Sequence, residues 1–188
     1  DHCLTGMEFA AGIPGSVGGA LVMNAGAYGS EIKNILKSAR VMTNEGEVLE
    51  LSVDELELGY RTSCIPHRGY TVLEASFQLE PGDQEAIEAR MKELAARRRE
   101  KQPLEYPSAG STFKRPQGYF AGKLIEDAGL RGYGMGGARV SEKHCGFVIN
   151  GGNATASDVM ALCGHIRKTV MEQSGVELEM EVKRWGEF

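Results

Sequence analysis

Gly12-Ile-Pro-Gly-Ser-Val-Gly-Gly-Ala-Leu-Val-Met-Asn-Ala-Gly-Ala-Tyr-Gly29 places six glycines in eighteen residues. A backbone with so few side chains can approach a ligand closely and offer it N–H groups, whereas a structural turn needs only one or two glycines. Two readings stay open on composition alone: a cradle for phosphates or for the edge of a flat cofactor, and a tight packing corner. No Gly-Lys-Ser/Thr follows, so the stretch is not a P-loop, and its glycine spacing is not the dinucleotide fingerprint.

Working outward, Ala39–Thr43 and Glu47–Leu51 flank Asn44-Glu45-Gly46, which predicts a hairpin. Residues 71–79 read as a further strand. Pro81-Gly82-Asp83 then breaks the pattern, and Ile87, Met91, Leu94 and Ala95 recur at helical spacing over 84–101. The domain boundary is therefore expected near 80–84. Beyond it come a turn-rich stretch, a short helix over 120–128 and a strand over 145–150. Thr155-Ala-Ser-Asp158 opens a helix that turns Val159, Met160, Cys163, Ile166, Val170 and Met171 inward and stops at Gly175. The last stretch, 176–183, alternates Val176, Leu178, Met180 and Val182 with charged residues and reads as a strand.

The 188 residues carry 41% hydrophobic and 25% charged side chains, ordinary values for a globular protein of one domain or two small ones. The net charge of −5 argues against a nucleic-acid surface, and Arg97-Arg98-Arg99 reads as a solvated helix face. The apolar stretches fall well short of a membrane span, and a cytoplasmic location is expected. Cys3, Cys64, Cys145 and Cys163 are widely spaced and read as reduced thiols; no spaced ligand set for a metal is present, so none is expected.

Two motif matches fail on context. Ser111-Thr-Phe-Lys114 fits the Ser-x-x-Lys of acyl-serine enzymes, but Pro116 would disrupt the helix that chemistry needs, and neither companion motif occurs. Gly132-Tyr-Gly-Met-Gly-Gly137 contains Gly-x-Gly-x-x-Gly after a helix rather than a strand, and reads as a loop that packs locally or closes on a ligand.

Five segments in order carry a more specific signal: Gly12–Ala20, Asn24–Gly29, Gly59-Tyr-Arg-Thr-Ser63, Pro107-Ser-Ala-Gly-Ser-Thr-Phe-Lys-Arg-Pro116 and Lys143-His-Cys-Gly-Phe-Val-Ile-Asn150. Together they resemble the UDP-N-acetylenolpyruvoylglucosamine reductase family, in its shorter-looped type, over essentially the whole chain. The resemblance implies an α/β plus α+β fold. Residues 1–82 would be the C-terminal part of a vanillyl-alcohol-oxidase-like FAD-binding domain, and 83–188 an α+β substrate-binding domain. The chain opens at Asp1 with the glycine-rich element almost at once. An N-terminally truncated member is therefore expected, its missing flavin-binding subdomain supplied by a full-length chain.

The same resemblance implies a reaction in which NADPH reduces FAD, and hydride then passes to the enolpyruvyl double bond of UDP-N-acetylglucosamine enolpyruvate, giving UDP-N-acetylmuramate for peptidoglycan. By motif, Arg61 corresponds to a carboxylate-stabilising arginine, Ser111 to the proton donor and Glu181 to a glutamate that helps polarise the carboxylate. Gly15, Ser16, Val17, Gly18, Ala25, Gly26 and Tyr28 would contact the flavin. Tyr60, Lys101, Lys114, Arg115, Lys123, His144 and Asn150 would face the substrate. The alternative is an inactive nucleotide-sugar-binding fragment that lacks a complete flavin site.

Overall fold

A computed structural model describes residues 2–186, in two compact units, Asp1–Arg98 and Arg99–Phe188. In the first, β1 (Leu4–Thr5) precedes the glycine-rich stretch, which folds as helix α1 (Val17–Val22) and a short hairpin of β2 (Gly26–Ala27) and β3 (Ser30–Glu31). The expected hairpin is present: β4 (Leu36–Met42) pairs antiparallel with β5 (Val48–Ser52), Val41 opposite Leu49. On its other edge β4 pairs with β6 (Thr71–Phe77), giving the order β5-β4-β6. Helix α1 lies against β6, and Phe9, Leu21, Ile32, Val41, Leu56 and Ile65 form the core.

After β7 (Glu80–Pro81), paired with β1, the chain enters helix α2 (Gln84–Lys101). The expected boundary at 82/83 and the observed division differ by most of this helix. The reason is anchoring: Leu94 is buried, its carbonyl accepts the Tyr28 hydroxyl at 3.3 Å, and the Arg98 guanidinium reaches the Ala11 carbonyl at 3.5 Å. Met91, expected inward, is exposed.

The second unit is a four-stranded antiparallel sheet in the order β8-β11-β10-β9, built from β8 (Ser108–Ser111), β9 (Gly134–Met135), β10 (Ala138–Val140) and β11 (Phe147–Asn150). Two helices cover one face, α3 (Ala121–Asp127) and α4 (Ala156–Ser174). Ala138, Val140 and Val148 meet Ile125, Leu162, Cys163, Ile166 and Val170 there. The Thr155 side chain accepts the Asp158 N–H in a reciprocal capping box, and Gly175 ends α4. Met171 is exposed, and Leu162 takes an inward place that the sequence reading had not given it. The Gly132–Gly137 motif becomes the local β9–β10 turn, with the Gly137 N–H donating to Asp158.

Residues 176–183 are not a strand. They pair with the rest of the unit through one bridge, Phe113 opposite Met180, flanked by Lys114 N–H to Glu179 O and Glu181 N–H to Thr112 O. On one side the ladder stops because the Thr112 N–H is already given to Gly146 O rather than to Glu181; on the other, among the described residues no Glu179 N–H to Lys114 O bond returns the one that Lys114 makes, and Pro116 beyond it has no N–H.

Candidate active site

The glycine-rich segment of the first unit is an exposed edge. Ser16 caps α1, its Oγ accepting the Gly19 N–H at 3.1 Å. Among the described residues no acceptor takes the N–H groups of Gly15, Ser16, Val17 or Gly18. Gly15 has φ +132, a conformation L side chains rarely adopt, and open space where a Cβ would stand. Gly26 is glycine for another reason: a Cβ there would lie 2.8 Å from Glu31 Cβ and 2.9 Å from Ser30 O across the β2–β3 hairpin. Ala25 is buried, and both its N–H and its carbonyl are used within the fold, so it shapes the edge rather than lining it. Tyr28 has φ 55, is part-exposed and lies under the Arg98 guanidinium at 5.7 Å.

Asn24, which the sequence reading did not single out, joins this edge to the Gly59–Ser63 turn. It is 1% exposed. Its Nδ2 donates to Gly59 O at 3.1 Å and its Oδ1 accepts the Lys33 N–H at 2.9 Å. Ser63 Oγ adds a second tie, donating to Val22 O at 2.8 Å. Within the turn, Gly59 and Thr62 exchange backbone hydrogen bonds, Tyr60 is exposed, and Arg61 sits at φ 55 with its guanidinium 5.2 Å from the Tyr60 ring centre. Left-handed backbone at a non-glycine residue carries strain and clusters at functional sites.

In the second unit Ser111 ends β8 opposite Phe147, exposed, and its hydroxyl has no hydrogen-bond partner among the described residues. The next residue, Thr112, is buried and is the junction: N–H to Gly146 O, Oγ1 accepting the Val148 N–H, and carbonyl accepting the Glu181 N–H, each at 2.9 Å. Half-buried Glu181 is thereby held one residue from Ser111 across the bridge. Thr112 was legible only as a turn residue, because β8 and 179–181 are distant in sequence.

The basic candidates differ in how they are held. Lys114 pairs with Glu179, Lys123 with Asp127 on the same helix face, and the Arg115 guanidinium stacks 4.0 Å over Phe120. Lys101 is exposed at the end of α2. The Asn150 Oδ1 accepts the N–H groups of Gly152 and Ala154, which makes it an organiser of its loop. His144 is half-buried, packed edge-on to Phe147, with Nδ1 accepting the Gly146 N–H at 3.0 Å; burial lowers its pKa. That bond leaves Nε2 as the protonated nitrogen of the neutral ring. Ser111, Thr112, His144 and Glu181 are thus gathered around one strand junction, while Lys123 and Asn150 are held in local pairs and turns.

Comparison with known proteins identifies both units. Residues 1–52 match the FAD binding domain model, and residues 102–185 match the model of the UDP-N-acetylenolpyruvoylglucosamine reductase C-terminal domain. The class is a flavoprotein fold, an FAD-binding domain followed by an α+β domain. The chain belongs to the UDP-N-acetylenolpyruvoylglucosamine reductase family. It is 65% identical over 187 residues to the reductase of Lachnoclostridium phytofermentans, covering 100% of this chain and 60% of the relative. It is 63% identical to that of Agathobacter rectalis, covering 98% and 59%. The crystal structure of the Thermus caldophilus enzyme superposes with a TM-score of 0.85 at 36% identity, covering 98% of this chain and 65% of that one. The chain spans about 60% of the length of the curated relatives it matches. Among the described residues no helix is long and apolar enough to cross a membrane.

Proposed function

We propose that this chain carries residues of an enzyme that reduces UDP-N-acetylglucosamine enolpyruvate to UDP-N-acetylmuramate with NADPH and FAD, in the cytoplasm. The observation that carries the reading is the exposed Ser111 hydroxyl, which has no hydrogen-bond partner among the described residues and lies one residue from the backbone bond that holds Glu181.

The first unit suits a flavin: the exposed Gly15–Gly18 edge has N–H groups that no acceptor takes among the described residues, and open space where a side chain at Gly15 would project. Gly15, Ser16, Val17 and Gly18 would hold the cofactor directly, with Tyr28 at its side and Ala25 and Gly26 maintaining the shape. When bound, FAD supplies hydride, received from NADPH, to the terminal carbon of the enolpyruvyl double bond.

That addition moves the π electron pair onto the neighbouring carbon and its conjugated carboxylate, and a proton must then close the C–H bond there. In the first unit, the Arg61 fork suits a carboxylate, to which it offers parallel donors. In the second, Ser111 gives the proton and Glu181 helps polarise the carboxylate. Serine is a weak acid, so the transfer is feasible only because the accepting carbon is strongly basic. Lys101, Lys114 and Arg115 meet the diphosphate, with Tyr60, Lys123, His144 and Asn150 as secondary contacts. Binding energy from the diphosphate, remote from the reacting bond, orients the double bond.

The visible absorption spectrum of the purified chain mixed with FAD and separated from excess tests this. Bound flavin reduced by NADPH and reoxidised by the enolpyruvyl substrate supports the reading. Binding of the UDP-sugar without any retained flavin supports instead a nucleotide-sugar-binding fragment.

A further inference from the structure

We infer that Asn24 is a positioning residue for Arg61, its buried carboxamide holding the Gly59–Thr62 turn in the conformation that presents the guanidinium. The inference rests on the reading of Arg61 given under Proposed function.

Arg61 occupies left-handed backbone at φ 55, and such a conformation persists only where its surroundings over-determine it. The turn's own bonds, Gly59 N–H to Thr62 O at 3.1 Å and Thr62 N–H to Gly59 O at 3.3 Å, span only four residues. Two long-range ties add to them: Ser63 Oγ to Val22 O at the far end of the turn, and at Gly59, next to the Tyr60–Arg61 pair, Asn24, thirty-five positions away, whose Nδ2 gives the Gly59 carbonyl a second donor at 3.1 Å. The orientation of that amide is fixed, because its Oδ1 is taken by the Lys33 N–H at 2.9 Å; flipped, the side chain would set oxygen against oxygen and N–H against N–H. At 1% exposure, water cannot replace either bond. Asn24 is itself left-handed at φ 44 and lies between α1 and the β2–β3 hairpin, so one side chain ties the glycine-rich edge to the arginine turn. Shape alone would leave this position to an apolar residue. A carboxamide with both ends engaged is what a fixed turn requires.

Amide hydrogen exchange on the chain tests the inference, comparing the parent with Asn24→Ala and Asn24→Asp, the latter keeping the acceptor for the Lys33 N–H and losing the donor. Exchange in residues 57–64 should rise at least tenfold in a folded variant, with residues 36–52 at parent rates. Parent rates in 57–64 in a folded variant would overturn the inference. If Asn24→Ala raises exchange throughout, Asn24→Asp decides, and loss of protection throughout in both variants also overturns it, since Asn24 would then be a general core residue. Arg61→Lys in the FAD-loaded enzyme is read separately. Unchanged reduction of the enolpyruvyl substrate there removes the role of Arg61 and leaves the exchange result standing as an observation about the turn.

Discussion

The Glu181 N–H donates to the Thr112 carbonyl at 2.9 Å, while Thr112 uses its own N–H and hydroxyl on Gly146 and Val148. One buried threonine therefore ties three segments together at the residue after Ser111. Thr112→Val keeps the shape and both backbone bonds but leaves the buried Val148 N–H without an acceptor, which should cost about 1–3 kcal/mol. Urea unfolding should show the midpoint falling. An unchanged midpoint would mean that the hydroxyl contributes nothing at this junction.

Burial holds the His144 imidazole below the ordinary histidine range, and its Nδ1 already accepts a hydrogen bond. The unfolded chain thus takes up a proton at higher pH than the folded one. Stability from this residue rises with pH through the window below about 6.5 and is lost as pH falls through it. Unfolding midpoints at pH 5 and pH 7.5 should differ less for His144→Phe than for the parent; an equal difference would place the pH dependence elsewhere.

Cys163 is buried in the α4 core with its thiol pushed up to about 11 by desolvation, whereas Cys3 is exposed. A thiol-alkylating reagent at neutral pH should label Cys3 first and leave Cys163 unmodified until the chain unfolds. Early labelling of Cys163, read by peptide mass, would contradict the packing described for α4.

Binding of UDP-sugars should weaken as salt rises, because lysine and arginine contacts to a diphosphate are screened. Arg115→Glu, which reverses the charge stacked on Phe120, should raise the Kd about tenfold or more by calorimetry. A salt-independent Kd, or one untouched by the substitution, would remove Arg115 from the diphosphate site.

Much of this was legible locally. The 39–51 hairpin is written in a turn between alternating residues, and α4 in a Thr155 cap, an apolar face and Gly175. What local pattern could not carry was pairing between distant segments. The alternation in 176–183 is real, with Leu178 buried, yet its ladder depends on pairing with the distant residues 110–116, where the Thr112 N–H is spent on Gly146 and Pro116 has none to give. Asn24 and Thr112 escaped notice for the same reason: each is an unremarkable polar residue until the fold brings it a distant carbonyl or amide. Helix α2 shows the converse: the helix is present as its spacing predicts, though with Leu94 rather than Met91 buried, but its attachment to Tyr28 and Ala11 decides which unit most of it joins.

The central claim, proton donation by Ser111, is tested most directly by stopped-flow measurement on the FAD-loaded enzyme with Ser111→Ala. Hydride transfer from NADPH needs no proton at the substrate carbon, so flavin reduction should proceed at nearly the parent rate. Reoxidation by the enolpyruvyl substrate should slow by about 10²–10⁴-fold, the usual contribution of general acid catalysis, and Ser111→Cys should retain more of it than alanine. Reoxidation of the alanine variant at the parent rate would contradict the account.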